Sequence, residues 1–394
     1  MVSPSSSAAV ARCSSTSKVG SSTKPTSLST WTRTGSQGGR GRTMGPLFMS
    51  SGSKGGENQL AQLASMTTLS VDTGDLKLIK ELASTGYITD ATTNPLFVSQ
   101  AGLSGDPTYI AFVDEAVAYA KKKLGTSQGA EVVELAMDRL AVNLGKEISK
   151  LVKGYVSTEV DPRLSFDVQE SLRRARRIIK MYEEEGVPKS RILIKLAATW
   201  EGILAAEELQ KEGINCNLTL IFGMVQAVAA AQRGARLISP FTGRILDWHK
   251  VEAKKETWEP SEDPGVVECT RMYNYYKKYG HDTICMPASW RPSRGKGYEL
   301  DEIRELAGTD RMTIPPNFLK MLAESTDPLP RKLDPASAVK NCKDAEFGGG
   351  KLQEKEFRFL LNQDGCATEK MCQGIRAFVA DTEKLEAAMK SKLN

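Results

Sequence analysis

The stretch Arg191-Ile-Leu-Ile-Lys-Leu-Ala-Ala-Thr199 is an apolar run that contains a single interior charge, on Lys195. An apolar run of this length, bounded by polar residues, is typical of a buried strand. A lysine in such a strand must extend to solvent, pair with an acid or serve in chemistry, because burial of an unpaired charge is costly. Burial of a lysine also favours the neutral amine, a nucleophile that forms Schiff bases with carbonyl compounds.

Seven other strand-like runs accompany this one, and amphipathic helical patterns separate them. The eight predicted strands are 69–72, 87–92, 154–160, 191–197, 215–222, 235–241, 283–289 and 312–315, and the predicted helices are 75–84, 107–125, 131–152, 164–185, 199–212, 225–233, 264–279 and 301–307. Strand–helix alternation repeated eight times predicts an α/β fold, the (β/α)₈ or TIM barrel. We expect residues 351–393 to add C-terminal helices packed outside the barrel.

The first 56 of the 394 residues differ in composition from the rest of the chain. They contain 22 Ser or Thr, seven basic residues and no Asp or Glu. Such a segment cannot bury enough apolar surface to fold, and its composition is typical of an organelle transit peptide. We therefore predict a disordered targeting segment over 1–56 and a barrel domain over 57–394. Plastid (chloroplast) import fits better than import into a mitochondrion, because no arginine-studded amphipathic helix is present. The alternative is a disordered tail that carries no targeting signal, on a cytoplasmic protein.

Composition also argues against several classes of function. Beyond residue 56 the chain has 46 basic and 48 acidic residues, so it lacks the basic surface that nucleic-acid binding needs. It has no 18-residue apolar stretch, so no membrane span is predicted. Seven cysteines without a C-x-x-C pair and only two histidines argue against a disulfide framework and against a His-rich metal site. The basic run 173–177 lies in a Glu-rich helix, which favours a solvated, ion-paired face.

Polar residues from five strands are expected to meet at one end of the barrel. Because side chains alternate along a strand, Lys195 shares its face with Leu193 and lies opposite the aliphatic face of its strand. The same alternation turns Glu159, Asn217 and Thr219 inward, while Asp72 ends the first strand and Asn94 follows the second. Barrel enzymes place their catalytic groups at these carboxyl ends of the strands.

Each of these residues also has a purely structural interpretation. Lys195 and Glu159 could form a buried ion pair and nothing more. Asn217 and Thr219 could be hydrogen-bonded core residues, and Asp72 could cap the helix that follows it. The convergence of all of them on one volume favours a functional site, since the structural explanations would have to hold independently.

Two later strand ends carry serine and arginine close together, in Ser239-Pro-Phe-Thr-Gly-Arg244 and Ser289-Trp-Arg291. Arginine matches phosphate oxygens bidentately, and loops after the late strands of barrels are frequent phosphate sites. We therefore predict a phosphorylated substrate. The competing interpretation is that Arg244 and Arg291 pair with surface acids.

Together these motifs resemble those of the long type of transaldolase, in the superfamily of Schiff-base class I aldolases. The matching stretches are Val71-Asp-Thr-Gly-Asp75, Asp90-Ala-Thr-Thr-Asn-Pro95, Ser157-Thr-Glu-Val-Asp161, Ile192-Leu-Ile-Lys-Leu-Ala197, Thr199-Trp-Glu-Gly202, Asn215-Cys-Asn-Leu-Thr219, Leu237-Ile-Ser-Pro-Phe-Thr-Gly-Arg-Ile-Leu-Asp-Trp248 and Asn362-Gln-Asp364. They occur in order over residues 66–390, nearly all of the predicted barrel domain.

The resemblance implies a transferase of the non-oxidative pentose phosphate pathway. Its substrates would be sugar phosphates, and it would need no cofactor and no metal. It would move a dihydroxyacetone unit reversibly from sedoheptulose 7-phosphate or fructose 6-phosphate to glyceraldehyde 3-phosphate or erythrose 4-phosphate. The resemblance implies a monomer or a homodimer, of which we expect the homodimer, and it gives no reason to expect a nucleic-acid or membrane partner.

The resemblance further implies a role for each candidate residue. Lys195 would form the Schiff base, Asp72 would move the proton during carbon–carbon cleavage, and Glu159 with Thr219 would hold a water for dehydration. Asn94, Asn217 and Ser239 would bind the hydroxyls of the three-carbon unit, Phe241 would close the pocket, and Arg244, Ser289 and Arg291 would bind phosphate.

The sequence departs from the family pattern at a few places: Leu96-Phe97, Gly223, Thr242 and an insertion at 292–300. None of them removes a chemical group that the mechanism needs. Two other functions are considered. One is an aldolase that cleaves fructose 6-phosphate without transfer, against which Glu159 and Phe241 argue. The other is a non-catalytic sugar-phosphate-binding barrel, against which the presence of Lys195, Asp72 and Glu159 argues.

Overall fold

Eight parallel strands form the centre of the molecule, as seen in a computed structural model that describes residues 56–393. The strands are β1 Thr68–Asp72, β2 Ile88–Thr92, β3 Val156–Glu159, β4 Ile192–Ala197, β5 Asn215–Ile221, β6 Leu237–Pro240, β7 Ile284–Cys285 and β8 Arg311–Ile314. They lie in the order β7-β6-β5-β4-β3-β2-β1-β8, and neighbouring strands in this order pair in parallel. Each overlaps one predicted strand.

The sheet curls until its two edges meet. The backbone N–H of Thr313 in β8 donates to the carbonyl of Pro287, just beyond β7, at 3.2 Å. The indole N–H of Trp290 adds a 2.7 Å bond to the carbonyl of Thr313. These bonds join the last strands, so the predicted (β/α)₈ barrel is confirmed.

Helices surround the strands. Their bounds are α1 Gln59–Ala64, α2 Leu76–Ala83, α3 Pro95–Leu103, α4 Pro107–Leu124, α5 Ala130–Leu151, α6 Val168–Glu184, α7 Trp200–Lys211, α8 Met224–Gln232, α9 Thr242–Ala253, α10 Pro264–Tyr279, α11 Asp301–Glu305, α12 Pro316–Glu324, α13 Pro335–Asn341, α14 Glu354–Gln363 and α15 Gly365–Leu393. The eight predicted helices are present. Five helices were not predicted: α1, α3, α9, α12 and α13, each of twelve residues or fewer.

Strands β3, β4 and β5 are in register at the level where the site forms. Glu159 pairs with Lys195, and Lys195 pairs with Asn217. One layer lower on the same face, Leu193 packs with Leu237, Ile284 and Met286 in a small apolar cluster that is separate from the main core. The polar residues of the site therefore lie directly above an apolar layer of the barrel interior.

The regular alternation of β5 stops at Leu220, where the backbone adopts a left-handed conformation with φ of 58°. The pairing of β5 with β6 shifts register between Leu218 and Ile221 at the same place. The alternation of side chains that places Cys216 and Leu218 on one face of β5 therefore ends before Leu220. Left-handed backbone is rare for leucine, and the shift re-aims the last residues of β5 toward the barrel mouth.

The C-terminal tail forms helices α14 and α15 packed outside the barrel, as expected, but the position of α15 over the barrel mouth was not predicted. Helix α15 crosses the carboxyl end of the barrel and packs against the ends of β5 and the short turn Pro162–Leu164 after β3. Gly374 makes this approach possible, since a Cβ there would lie 2.6 Å from Cδ2 of Leu220. The helix thereby brings Phe378 and Asp381 to the mouth of the barrel.

The basic run 173–177 is ion-paired, as predicted. Arg174 bonds Asp138 at 2.6 Å, Arg176 bonds Glu212 at 2.6 Å, and Arg173 and Arg177 pair with Glu134. The predicted targeting segment, apart from Gly56, lies outside the described residues. Within 56–393, no helix combines the length and the apolar character needed to cross a membrane.

Candidate active site

Lys195 lies at the centre of the barrel mouth, on β4. Its Nζ is 3.0 Å from Oε2 of Glu159 on the neighbouring strand, and the two side chains are 6% and 5% exposed. The ammonium group also donates to the carbonyl of Thr93, at 3.3 Å. The charge of Lys195 is the larger part of its interaction with the Glu159 carboxylate. Of the three possibilities for a lysine in a buried strand, pairing with an acid is therefore present.

Glu159 is poised to exchange a proton with this amine. Burial raises the pKa of Glu159 above its ordinary value, and the charge of Lys195 partly opposes that shift. A carboxyl group with a raised pKa is a stronger base when ionised and is more often protonated near neutral pH. Glu159 can therefore accept a proton from Lys195 or give one to a group bound beside it.

Asp72 ends β1 on the other side of the mouth. The hydroxyl of Thr92 donates to its Oδ1 at 2.8 Å and lies 2.6 Å from the hydroxyl of Thr313. Burial raises the pKa of Asp72, while the positive charges of Lys195 and Arg244 and the bond from Thr92 act in the opposite direction. Asp72 does not cap the following helix, because Asp75 holds that role by accepting from the N–H groups of Lys77 and Leu78. Its carboxyl group is left facing the cavity.

Asn217 links three strands beneath the cavity. Its side-chain amide donates to the hydroxyl of Ser157 at 3.2 Å, and its oxygen accepts from the hydroxyl of Ser239 at 2.8 Å. Two residues further along β5, the buried hydroxyl of Thr219 has no hydrogen-bond partner among the described residues. An unpartnered buried hydroxyl is costly unless it bonds to a ligand or a water, so Thr219 is a candidate contact for one.

Asn94 caps helix α3, because its side-chain oxygen accepts from the N–H of Phe97 at 3.0 Å. The amide nitrogen of the same side chain is then left for another partner, and the residue lines the cavity. Asn94 therefore combines a structural role, which the sequence analysis did not foresee, with a place in the predicted site.

Two arginines stand on the rim of the cavity. Arg244, in the first turn of α9, stacks on Phe241 with 5.1 Å between the guanidinium carbon and the ring centroid. Burial and the nearby charge of Arg291 lower the pKa of Arg244. Arg291 itself lies 3.4 Å from Asp247, whereas no such ion pair involves Arg244 within residues 56–393. A bound dianion would neutralise the repulsion between the two cations, and the N-terminus of α9 adds a favourable dipole.

These elements enclose a cavity of about 340 Å³ at the carboxyl ends of the strands. Eight of the predicted site residues line it: Asp72, Asn94, Lys195, Ser239, Phe241, Arg244, Ser289 and Arg291. Glu159 instead borders a smaller cavity of about 50 Å³ behind Lys195, which Asn94 also lines. Asn217 and Thr219 lie beneath the main cavity and are fully buried.

Several cavity residues were missed by the sequence analysis. Thr92 and Thr313 hold Asp72, Trp290 fixes the loop after β7, and Phe378 places its ring centroid 5.5 Å from Nζ of Lys195. Thr92 has a signal in the sequence, since it ends the predicted strand 87–92, whereas Thr313 lies near the start of the predicted strand 312–315. Phe378 has none, because nothing local to the tail indicates that it returns to the barrel mouth.

No group of three or more His, Cys, Asp or Glu side chains within 56–393 is arranged to hold a metal ion. The six cysteines of this part of the chain are free thiols.

Comparison with known proteins agrees with this geometry. The family model described as transaldolase/fructose-6-phosphate aldolase matches residues 69–389. A protein named transaldolase from Alteromonas mediterranea is 48% identical over 338 residues, which are 86% of this chain and 99% of the relative. One from Actinobacillus succinogenes is 49% identical over 335 residues, 85% of this chain and 99% of the relative. A protein named transaldolase A from Pasteurella multocida is 48% identical over 334 residues, with the same coverage.

The match spans every strand of the barrel from β1 to β8 and most of α15. It therefore includes all the elements that build the cavity, and the resemblance inferred from the motifs is confirmed. The chain belongs to the transaldolase/fructose-6-phosphate aldolase family.

Proposed function

We propose that this protein is a transaldolase, which transfers a dihydroxyacetone unit between phosphorylated sugars through a Schiff base on Lys195. The observation that carries the proposal is the placement of a buried lysine within 3.0 Å of one carboxylate, with a second carboxylate and two arginines around the same cavity. Sedoheptulose 7-phosphate or fructose 6-phosphate is the donor, and glyceraldehyde 3-phosphate or erythrose 4-phosphate is the acceptor.

The first step joins the lysine to the donor ketone. Lys195 loses a proton to Glu159, its nearest base, and the amine nitrogen attacks C2 of the ketose to form a carbinolamine. Protonation of the carbinolamine hydroxyl releases water and leaves an iminium ion. Glu159 supplies that proton through a water held with the hydroxyl of Thr219, which is buried and lacks a protein partner.

The second step breaks the C3–C4 bond. Asp72 takes the proton of the C4 hydroxyl, the C3–C4 electrons move toward the iminium nitrogen, and an aldose leaves. The resulting enamine keeps the three-carbon unit on Lys195. The raised pKa of Asp72 suits this exchange, because a carboxylate that binds protons more tightly can both remove and return one near neutral pH.

The third step reverses the second with a different aldehyde. The enamine carbon attacks the acceptor carbonyl, Asp72 returns its proton to the new hydroxyl, and hydrolysis releases the product. Asn94, Asn217 and Ser239 hold the hydroxyls of the three-carbon unit, and Phe241 limits the access of water from above. Arg244, Ser289 and Arg291 bind the phosphate at the far end of donor and acceptor.

Borohydride reduction in the presence of fructose 6-phosphate tests the covalent step. Peptide mass spectrometry should find a reduced three-carbon or six-carbon adduct on Lys195. A folded protein that binds the sugar without forming an adduct on this residue would refute the mechanism and favour the sugar-phosphate-binding alternative.

The family also includes fructose-6-phosphate aldolases, which release dihydroxyacetone instead of transferring it. Glu159 and Phe241, together with relatives that carry the transaldolase name, support transfer. Two rates should therefore differ greatly. With fructose 6-phosphate alone, the release of free dihydroxyacetone should be slow. With erythrose 4-phosphate added as acceptor, the formation of sedoheptulose 7-phosphate should be much faster. Equal rates would assign the aldolase activity.

Residues 1–56 serve, in the same proposal, as a plastid transit peptide. Their acid-free, Ser/Thr-rich composition supports this, and the family match begins only at residue 69. Fusion of 1–56 to a fluorescent protein should direct import into isolated chloroplasts and not into mitochondria. If the fusion stays outside both organelles, the result would support the alternative, a disordered tail that carries no targeting signal.

The mature enzyme is a homodimer in this proposal, a state supported by the family resemblance alone. Light scattering of the full-length protein tests this: a mass of two 43.0 kDa chains would support the dimer, and the mass of one chain would refute it.

A further inference from the structure

Two carboxyl groups lie against each other, completely buried, directly behind the loop that carries Arg291. Asp263 and Glu302 are each 0% exposed, as is Ser293 beside them. Asp263 precedes α10 and Glu302 lies in the first turn of α11, so each could be an ordinary helix-terminal acid. Their contacts with the loop after β7 indicate more than a capping role.

Both oxygens of the Asp263 carboxylate accept hydrogen bonds. Oδ1 accepts from the N–H groups of Gly265 and Val266, at 2.7 and 3.3 Å. Oδ2 accepts from the hydroxyl of Ser293 at 2.5 Å. Ser293 belongs to the insertion that follows Arg291, so Asp263 fixes the outgoing end of that loop.

Glu302 fixes the loop at Arg291 itself. Its Oε2 accepts from the backbone N–H of Arg291 at 2.6 Å, whereas its Oε1 is buried and has no donor among the described residues. An ionised carboxylate would leave that oxygen unsolvated beside the negative charge of Asp263, which is a costly arrangement. A proton on Oε1, donated to Asp263, satisfies both groups.

The shifts in pKa agree with this placement of the proton. Burial and the negative charge of Asp263 raise the pKa of Glu302 well above its ordinary value. Burial also raises the pKa of Asp263, but hydrogen bonds from Ser293, from two backbone N–H groups and from Glu302 lower it in turn. Of the two, Glu302 is the one that keeps the proton.

Other bonds also hold the Arg291 loop, but none of them reaches the backbone N–H of Arg291. The N–H of Trp258 donates to the carbonyl of Ser293 at 3.0 Å, and the guanidinium of Arg291 donates to the carbonyl of Trp290 at 2.9 Å. Trp290 anchors the preceding residue through its indole bond to Thr313, and the N–H of Gly243 donates to the carbonyl of Ser289 at 3.1 Å. The guanidinium of Arg291 is 43% exposed and makes a 3.4 Å contact with Asp247. Glu302 is the side chain that bonds the backbone of Arg291 directly.

From this arrangement we infer that Glu302 is a positioning residue for phosphate recognition: held protonated against Asp263, it sets the backbone of Arg291 so that the guanidinium faces the substrate phosphate. This inference rests on the proposed function, in which Arg291 binds the phosphate. Glu302 thereby joins the residues needed for phosphate recognition although it contacts neither the substrate nor Lys195. The same role explains why two acids are buried behind an anion site.

The test compares Glu302→Ala with Glu302→Gln, using Glu305→Ala on the same helix as a matched control. Glu305 pairs with Lys332 and does not contact the Arg291 loop. Three readouts are needed: KM and kcat with fructose 6-phosphate, the inhibition constant of inorganic phosphate, and borohydride trapping of unphosphorylated dihydroxyacetone on Lys195.

For Glu302→Ala we expect KM and the phosphate inhibition constant to rise roughly 10- to 100-fold, because the arginine is misplaced. The kcat should change less than about threefold and the trapping of dihydroxyacetone should be unchanged, because the chemistry at Lys195 is intact. Glu302→Gln should restore most of the affinity, since its amide can accept from Arg291 and donate to Asp263 as the protonated acid does.

The inference is overturned if Glu302→Ala matches the Glu305→Ala control, or if it lowers trapping and kcat as much as affinity. It is also overturned if Glu302→Gln is as defective as Glu302→Ala, since an ionised Glu302 would then be required. If Glu302→Ala fails to fold, Asp263→Asn is compared with Glu302→Gln instead. We expect KM to rise more in Asp263→Asn than in Glu302→Gln. A larger rise in Glu302→Gln would place the proton on Asp263 and overturn the inference. Failure of the proposed function itself would appear separately, as absence of trapping and turnover in the unmodified enzyme.

Discussion

Glu159 and Lys195 are direct partners in the register of β3 and β4, and the 3.0 Å between their charged atoms is set by the barrel and not by flexible loops. Since both side chains are buried, each charge depends on the other for its stability. The nucleophile and its nearest base are therefore oriented before any substrate binds.

Replacement of Lys195 by methionine should abolish the borohydride adduct and lower kcat by at least about 10⁴-fold, because no other side chain can form the Schiff base. The protein should still fold, since methionine fills a similar volume and Glu159 can take up a proton once its partner is lost. Lys189→Met, at an exposed lysine that bonds only the carbonyl of Glu212, is the control. Persistence of turnover in Lys195→Met would refute covalent catalysis at this residue.

Asp72→Asn should separate formation of the Schiff base from cleavage. We expect the variant to be trapped by borohydride as a six-carbon adduct with fructose 6-phosphate, while kcat falls roughly 10²- to 10⁴-fold for want of the proton acceptor. Mass spectrometry of the reduced peptide distinguishes six-carbon from three-carbon adducts. A variant that forms no adduct would show that Asp72 acts before cleavage.

Arg244→Ala should weaken binding of phosphorylated donors without altering the reaction at Lys195. Loss of a charged hydrogen-bonding group costs about 1.5–3 kcal/mol, which is about 10- to 150-fold in kcat/KM. Trapping of dihydroxyacetone, which has no phosphate, should be unchanged. Arg358→Ala, on the surface of α14, is a suitable control. An equal loss with both substrates would argue against a phosphate contact.

The stability of the fold should depend on pH through Glu302. Because its pKa is raised well above the ordinary 4.5, the native state retains a proton that the unfolded chain has already lost. The free energy of unfolding should therefore fall as pH rises above about 4.5, by up to about 1.4 kcal/mol per pH unit from this group. In Glu302→Gln that contribution is absent. The free energy of unfolding of the variant, measured by urea titration, should therefore increase relative to that of the wild type as the pH rises. Parallel curves for the two proteins would mean that Glu302 is ionised in the native state.

Gly374→Val should displace α15 from the barrel mouth. The added atoms would collide with Leu220, and overpacking of this kind typically costs about 1–3 kcal/mol. We expect a lower melting temperature and a loss of activity larger than that of Gln373→Ala, at an exposed neighbour on the same helix. Full activity in Gly374→Val would show that the contact of α15 with the mouth is dispensable.

The barrel was predictable because hydrophobic alternation marks its strands and helical patterns separate them. The inward positions of Lys195, Glu159 and Asn217 followed from the period of two, since all three lie on regular stretches of strand. The period of two fails beyond Leu218, where the left-handed backbone of Leu220 interrupts it, and no local pattern indicates this conformation.

Long-range contacts set the other limits of the sequence analysis. Phe378 is distant in sequence from Lys195, and only the tertiary fold brings its ring over the amine. In the sequence, Asp263 and Glu302 look like the acidic residues that commonly occur at helix N-termini. Their complete burial behind Arg291 depends on how α10, α11 and the β7 loop pack together, which the spacing of residues along the chain does not encode.

The crossing of the barrel mouth by α15 has a consequence for biosynthesis. The ribosome makes this helix after all eight strands, yet the helix supplies Phe378 and Asp381 to the wall of the cavity that holds Lys195. A nascent chain can complete all eight strands and still have an open, solvent-filled mouth. The nucleophile is therefore enclosed only once α15 has been made, and a product truncated before residue 365 would carry the lysine, both carboxylates and both arginines without the enclosed environment that makes them reactive.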